Sequence, residues 1–98
     1  MPEIVRLLRW TGAFERAINR HIGKDAKRRL CLFETLLQMI EDPRHPMLET
    51  HALRGGSKGL LSCSCGYDCR IIFRLEPGPK PDTQNILLLD VGTHDEVY

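Results

Sequence analysis

A cluster of titratable side chains follows the last apolar stretch of the sequence. Residues 85–91 are mostly apolar and predict a strand, Gly92 allows a sharp turn, and His94 and Tyr98 come shortly after it. A histidine can accept or donate a proton near neutral pH, and a tyrosine can do so where cations lie close by. The C-terminal residues therefore predict either an acid–base site at the edge of a small fold or a polar tail.

Charged residues also mark the strand predicted over residues 69–75. Strand alternation points Arg70, Ile72 and Arg74 to one face and Ile71, Phe73 and Leu75 to the other. Asp68 precedes Arg70 by two positions and shares its face. If the hairpin that follows closes at its prolines, Arg70 comes close to Asp90, and the two can form a cross-strand ion pair. The alternative is a guanidinium that neutralises a phosphate in a shallow groove.

Three of the four cysteines are clustered, at positions 63, 65 and 69. Zinc sites normally use paired C-x₂₋₄-C units and four ligands, whereas this C-x-C-x₃-C spacing has no fourth cysteine nearby. Small buried thiols on a strand fit the same spacing. We therefore predict no metal or other cofactor, and we expect the cysteines of a cytoplasmic protein to be thiols.

Glycines and two cations mark a turn at residues 54–59. A P-loop requires a G-x₄-G-K-[ST] motif between a strand and a helix, and no helix is predicted here. The segment instead predicts a hairpin tip, on which Arg54 and Lys58 either contact phosphate or are simply solvated.

The length of 98 residues predicts a single domain over residues 1–98. The net charge of +1 by itself predicts no polyanionic partner, but residues 1–30 carry eight Lys/Arg against three Asp/Glu, a net of +5, and residues 31–98 carry six against ten, a net of −4. The basic excess around residues 24–29 is either a solvated helix face or a surface for phosphate or an acidic partner. No membrane span or signal peptide is predicted, so we expect a cytoplasmic protein.

A strand and a short helix are predicted at the start of the chain. Residues 4–10 read as a strand, and residues 13–22 carry apolar side chains at helical spacing. Thr11 is a candidate N-cap for this helix and Gly23 is expected to end it.

A second, longer helix is predicted to begin after Asp25 and to end before Pro43. Its apolar residues recur at alternating steps of four and three, which predicts a stripe facing the core. The residues of that stripe are Ala26, Leu30, Phe33, Leu37 and Ile40, widened by Leu36 and Met39.

The second half of the chain reads as extended segments. A short extended piece is predicted at residues 51–56, strands at residues 60–64, 69–75 and 85–91, and a hairpin loop at residues 76–84, which hold three prolines and a glycine. The residues of the closing strand that are expected to complete the core are Leu87, Leu89 and Val91. The order β-α-α-β-β-β predicts an α+β fold, with a helical hairpin packed on a small antiparallel sheet.

Taken in this order, the segments resemble a known family. The most specific piece is Gly92-Thr93-His94 within residues 91–98, and residues 51–55 and 67–73 are moderately specific. The chain resembles the RelE/ParE superfamily of toxins from type II toxin–antitoxin systems, and within it the RelE and YafQ-like branch. The resemblance covers essentially the whole chain.

The resemblance implies an enzyme that enters the ribosomal A site and cuts messenger RNA without a metal. In that reaction the 2′-OH of the RNA attacks the adjacent phosphate and leaves a 2′,3′-cyclic phosphate and a free 5′-OH. The reaction needs a base, an acid and positive charge on the phosphate. We expect His94 to be the general acid or base, Tyr98 or His51 to be its complement, and Arg70 to neutralise the phosphate.

The full set of expected catalytic residues is His94, Tyr98, His51, Asp68 and Arg70, and the RNA-binding candidates are Arg54, Lys58 and Arg74. The expected partners are mRNA on the ribosome and a cognate antitoxin, a small and partly disordered protein that folds around the toxin. Two alternatives stay open: a ParE-like inhibitor of DNA gyrase with the same fold and no catalytic residues, and a relative that only binds its antitoxin.

Overall fold

The computed structural model describes residues 3–53, 59–66 and 68–97, and that part of the chain folds into one five-stranded sheet with helices. The elements are β1 (Val5–Trp10), α1 (Gly12–His21), α2 (Ala26–Glu41), a 3-10 turn (Pro46–Leu48), β2 (His51–Ala52), β3 (Leu61–Ser64), β4 (Arg70–Pro77), β5 (Thr83–Gly92) and α3 (His94–Val97). The strand order is β1-β5-β4-β3-β2, with β1 parallel to β5 and all other neighbours antiparallel. The predicted α+β class is confirmed, and α3 is an element that the sequence did not predict.

Helix α1 begins and ends where the sequence predicts. The Thr11 hydroxyl accepts a hydrogen bond from the Phe14 N–H (3.1 Å) and donates one to the Leu88 carbonyl (2.7 Å), so one side chain caps the helix and ties it to β5. Gly23 follows the helix with φ +58°, a left-handed conformation that favours glycine. Phe14, in the first turn, is completely buried in the core.

Helix α2 is capped as predicted but buries a different face. The Asp25 carboxylate accepts a hydrogen bond from the Arg28 N–H at 3.1 Å. The residues that α2 buries are Leu32, Leu36 and Met39. The predicted core residues Leu30, Phe33 and Leu37 are instead 59%, 66% and 59% exposed. The predicted stripe is therefore wrong for these three residues, whereas the burial of Leu36 and Met39, which were expected to widen it, is confirmed. The helix carries two apolar stripes, and the shorter one faces the sheet.

Arg6 on β1 holds the C-terminal end of α2. Its guanidinium donates to the carbonyls of Glu41 (2.7 Å) and Ile40 (3.3 Å) and to the side-chain oxygen of Gln84 (3.1 Å). Carbonyls in the last turn of a helix have no partner within the helix. A single arginine thus stabilises the end of α2 and joins β1 to β5.

Strand β4 alternates as predicted. Ile71 and Phe73, on one face, are completely buried; on the other face Arg70 and Arg74 are half-buried, and Ile72 between them is buried as well. Pro77 pairs with Gln84, so the connection to β5 consists of residues 78–82 and is shorter than the loop predicted from the prolines.

A β-bulge interrupts the pairing of β4 with β5. Ile72 pairs with Asp90 and the next residue, Phe73, pairs with Leu88, so Leu89 is an extra residue on β5. An extra residue shifts the alternation of side chains between the two faces of a strand. Bulges of this kind are common beside functional sites, and this one lies just before the chain reaches Gly92.

The bulge decides which residues of β5 enter the core. Ile86 and Leu88 before it and Val91 after it are completely buried. Leu87 and Leu89 are only half-buried, so the prediction that they complete the core is wrong, whereas that for Val91 is confirmed. Among the described residues, no helix is both long and apolar enough to cross a membrane.

Candidate functional site

Two of the predicted catalytic residues, His94 and Asp68, meet where β5 ends beside the turn between β3 and β4. His94 is the first residue of α3 and is exposed. Its backbone N–H donates to the Asp68 carboxylate, with an N–Oδ1 distance of 3.4 Å. Asp68 has φ +51°, a left-handed conformation that aspartate tolerates better than most residues. The structure thus brings together two of the residues that the sequence singled out.

Arg70 opens β4 and pairs with Gly92, two positions before His94. Arg70 and Asp90 are diagonal neighbours on one face of the β4–β5 pair and do not pair directly, because the hairpin turns slightly later than expected and the bulge adds one more residue. Asp90 pairs instead with Ile72, and its carboxylate accepts a hydrogen bond from the Val91 N–H at 2.9 Å. The half-buried Arg70 therefore lies at the same end of the sheet as His94.

His51 lies on the edge strand β2, away from this end of the sheet. It pairs with Ser62, which pairs with Ile72, so His51 shares a sheet face with Arg70. Strand spacing puts the Cα atoms of His51 and Arg70 roughly 12 Å apart. The His51 ring is exposed, and its Nδ1 atom lies 3.1 Å from the Glu49 carbonyl oxygen.

Of the other predicted positions, only Arg74 lies within the described residues. Arg74 lies four residues along β4 from Arg70, about 13 Å by strand rise. Its Nε atom is buried and has no hydrogen-bond partner within the described residues. Tyr98, Arg54 and Lys58 lie outside the residues that the structure describes.

A cavity of about 300 Å³ separates the helical hairpin from this end of the sheet. Asp68, Gly92 and Thr93 line it from the sheet, and Lys27, Arg28 and His21 line it from the hairpin. The sequence did not name the last three as site residues. The signal that pointed toward them was the net charge of +5 in residues 1–30, which fitted a solvated helix face equally well.

Arg28 is positioned by the end of α1. Its Nη1 atom donates to the His21 carbonyl (2.9 Å), and its Nε atom lies 4.0 Å from a carboxylate oxygen of Asp25. Cations are favoured at a helix C-terminus because the terminal carbonyls carry partial negative charge. Arg28 and its neighbour Lys27 are both exposed, so they bring positive charge to the rim of the cavity.

The cysteines differ from the predicted set of free thiols. Cys65 and Cys69 form a disulfide with a Cα–Cα distance of 5.0 Å, and the Cys65 N–H donates to the Cys69 carbonyl at 2.9 Å. Cys31 and Cys63 are free. Burial raises the pKa of the Cys63 thiol to about 12, against a smaller and opposite effect of the Arg70 charge. The prediction of thiols is therefore wrong for the pair that closes the β3–β4 turn.

Chemically, the arrangement offers a histidine held beside a carboxylate, with arginine and lysine charges nearby. Within residues 3–53, 59–66 and 68–97, no three His, Cys, Asp or Glu side chains are placed to share a metal ion. Such a set of residues suits proton transfer next to an anionic group.

Several solved structures of bacterial toxins have the same architecture. A YoeB/ParE toxin from Agrobacterium tumefaciens matches with a TM-score of 0.70 over 89% of this chain and 97% of its own, at 17% sequence identity. A copper-bound mutant toxin from Helicobacter pylori matches with a TM-score of 0.60 over 93% and 97%, at 24% identity. The Escherichia coli DinJ–YafQ toxin–antitoxin complex matches with a TM-score of 0.60 over 97% and 99%, at 20% identity.

No protein-family model and no curated protein sequence matches the chain. The likeness therefore lies in structure, at sequence identities of 17% to 24% for these three proteins. In each comparison it extends over nearly the whole length of both chains. It agrees with the resemblance found in the sequence motifs. The chain has the RelE/ParE-like fold of the YoeB/ParE and YafQ toxins.

Proposed function

We propose that the chain is the toxin of a type II toxin–antitoxin system and acts as a ribosome-dependent mRNA endonuclease. The observation that carries this proposal is the meeting of His94, Asp68 and Arg70 at one end of the sheet, beside a cavity with Lys27 on its rim. The fold shared with bacterial toxins supports it independently of these residues.

The proposed reaction is an internal transesterification that needs no metal. The RNA 2′-OH loses a proton and attacks the adjacent phosphorus, the bond to the 5′ oxygen breaks, and that oxygen takes up a proton. His94 serves as general base or general acid. Tyr98, four residues further along the sequence, and His51, on the edge strand β2, are the two candidates for the complementary role.

Asp68 acts in this scheme as a positioning residue. Its carboxylate accepts a hydrogen bond from the backbone of His94 and so fixes the start of α3 against the β3–β4 turn. Arg70 supplies the charge that offsets the pentavalent phosphorane. Lys27 and Arg28, with the predicted Arg54, Lys58 and Arg74, neutralise the flanking phosphates of mRNA and ribosomal RNA.

The proposed partner is an antitoxin that covers the exposed apolar stripe of α2, formed by Leu30, Phe33 and Leu37. Exposed apolar patches of this kind mark interaction sites. Lys27 and Arg29 flank the stripe near its N-terminal end, which suits an amphipathic segment that carries acidic residues. The DinJ–YafQ complex is a toxin of the same fold bound to its antitoxin.

The decisive experiment is induction of the chain in bacteria, followed by primer-extension mapping of transcripts. We expect growth arrest and cuts within translated codons. His94→Ala should lower the cleavage rate on the order of 10²- to 10⁴-fold, the usual contribution of a general acid or base, and should restore growth.

His45→Asn is the matched control. His45 begins the 3-10 turn, where its ring accepts a hydrogen bond from the Met47 N–H at 3.1 Å, and asparagine can accept the same bond. This variant should remain as toxic as the parent. Undiminished cleavage by His94→Ala would eliminate the assignment of His94.

Inhibition of DNA gyrase, the ParE-like alternative, is the second candidate function, because one structural neighbour is a YoeB/ParE toxin. The same induced cultures separate the two functions. Intact transcripts together with DNA damage would favour gyrase inhibition, and intact transcripts with normal growth would favour a relative that only binds its antitoxin.

A further inference from the structure

Three of the four cysteines line the cavity at the proposed site. Cys31 lies on α2, and Cys65 and Cys69 form the disulfide on the opposite wall. The Cys31 sulfur is 3.8 Å from the point that a Cβ atom on Gly66 would occupy. Gly66 lies inside the ring closed by the disulfide, so an exposed thiol and a disulfide line the same cavity, and a thiolate and a disulfide in reach of each other can exchange.

The disulfide ring also contains Asp68. Within the ring, Gly66 has φ +92° and Asp68 has φ +51°. Glycine adopts this left-handed conformation freely, but Asp68 has a Cβ atom and adopts it at a modest cost, so a constraint on the turn helps to hold Asp68 there. The covalent link between Cys65 and Cys69 is such a constraint, and the Asp68 carboxylate that it presents accepts the His94 N–H.

We propose that Cys31, Cys65 and Cys69 form a thiol–disulfide exchange site for small thiols of the glutathione class, and that the Cys65–Cys69 bond holds Asp68 in position against His94. A consequence is that reduction of the Cys65–Cys69 bond slows mRNA cleavage, and this regulatory part of the proposal rests on the proposed function. That function puts the chain at the ribosome, in a reducing compartment. Disulfides in such compartments are usually transient and are redox-sensing or catalytic.

The exchange is a balanced two-step reaction. A glutathione thiolate attacks one sulfur of the pair, the S–S bond breaks, and the other cysteine leaves as a thiolate. A second glutathione thiolate then attacks the mixed disulfide, which releases the first cysteine and glutathione disulfide. In total, two glutathione thiols are oxidised and one protein disulfide is reduced to two thiols.

Cys31 offers an intramolecular first step. Its thiolate attacks Cys65 or Cys69, a bond forms between α2 and the β3–β4 turn, and the remaining cysteine is freed with no net oxidation. Such a bond would bridge the cavity that separates the helical hairpin from the sheet. Cys63 cannot compete, because it is completely buried and its thiol stays protonated at neutral pH.

The structural test uses the full chain in glutathione buffers of defined redox ratio, followed by acid quench, alkylation and peptide mapping. In oxidising buffer we expect Cys31 to alkylate while Cys65 and Cys69 are protected as a pair. In reducing buffer both should alkylate, and the His94 amide resonance should shift as Asp68 is released. Equal alkylation of Cys65 and Cys69 in the two buffers would overturn the proposal.

Single replacements separate the roles of the sulfurs. Near the midpoint of the redox titration we expect disulfides that join Cys31 to Cys65 or Cys69. Cys31→Ser should remove those species and keep the Cys65–Cys69 pair, whereas Cys69→Ser should remove the pair and shift the His94 amide in every buffer. Absence of any disulfide containing Cys31 in the parent would remove Cys31 from the site. Cys63 serves as the internal control, since it should alkylate only after unfolding.

Cleavage measurements then test the regulatory part. Reduction should slow mRNA cleavage by the parent about tenfold or more, because small displacements of an active-site group cost that much. Cys69→Ser should be slow in both buffers. Cleavage that is unaffected by the redox state would overturn the regulatory role. If no variant cleaves RNA but the mapped pair and the His94 shift respond to glutathione, the exchange site stands and the proposed function fails.

Discussion

The two helices of the hairpin are both amphipathic, yet the longest apolar stripe is buried in α1 and exposed in α2. Helix α1 buries its face against the sheet through Phe14, Ala17 and Ile18. Helix α2 leaves the regular stripe of Leu30, Phe33 and Leu37 in solvent. Periodicity therefore identifies a helix and an apolar face, but it does not say whether that face meets the chain's own sheet or another molecule.

The difference follows from the geometry of α2. At 100° per residue, its exposed stripe and its buried stripe of Leu32, Leu36 and Met39 are centred roughly 125° apart around the axis. A single sheet can cover only one of them. The buried stripe meets Cys63, whose sulfur lies 3.9 Å from the Met39 sulfur, and the exposed stripe is free to bind a partner.

The largest expected effect belongs to α1. Phe14→Ala should lower the free energy of unfolding by about 3–5 kcal/mol, because the ring is completely buried and packs edge-to-face on Trp10 with centroids 4.8 Å apart. Urea denaturation followed by circular dichroism measures the change. Phe33→Ala removes the same ring from the exposed stripe of α2 and should change stability by at most about 0.5 kcal/mol. Equal losses of stability in the two variants would show that the stripe of α2 is buried as the face of α1 is.

Adjacent leucines on α2 give a sharper test with a smaller effect. Leu36 is 4% exposed and Leu37 is 59% exposed, and the same substitution can be made at each. Leu36→Ala should lower the free energy of unfolding by about 2–5 kcal/mol, and Leu37→Ala by no more than about 0.5 kcal/mol. The midpoints of urea denaturation compare the two directly. A larger loss at Leu37 would mean that the predicted stripe faces the core after all.

Local sequence patterns do not show which parts of the chain pack together, and this explains what the sequence could and could not predict elsewhere. The caps at Thr11 and Asp25 are local chemistry between neighbouring residues, so both helix starts were predicted. The bulge at Leu89 depends on how β5 pairs with β4, so reading the alternation of β5 alone selected the wrong leucines for the core. Strand existence is a local property, whereas register is not.

The candidate site also combines residues that local patterns identify with contacts that depend on tertiary packing. His94 and Asp68 were singled out by residue type and motif, and the structure joins them through one hydrogen bond. The contribution of Lys27 to the same cavity depends on how the hairpin packs against the end of the sheet, which no local pattern contains. The Cys65–Cys69 disulfide likewise requires a turn that brings the two Cα atoms within 5.0 Å.

Phe33→Gln tests what the exposed stripe of α2 binds. We expect it to cause the smallest change in stability. Glutamine is a good helix former and Phe33 is 66% exposed, so the free energy of unfolding should change by at most about 0.5 kcal/mol. Binding to the antitoxin, measured by titration calorimetry, should weaken by about 2 kcal/mol or more, as for an aromatic hot spot. Glu34→Gln, its exposed neighbour, is the matched control and should leave both quantities nearly unchanged. Full antitoxin affinity in Phe33→Gln would contradict the proposal that the antitoxin binds this stripe.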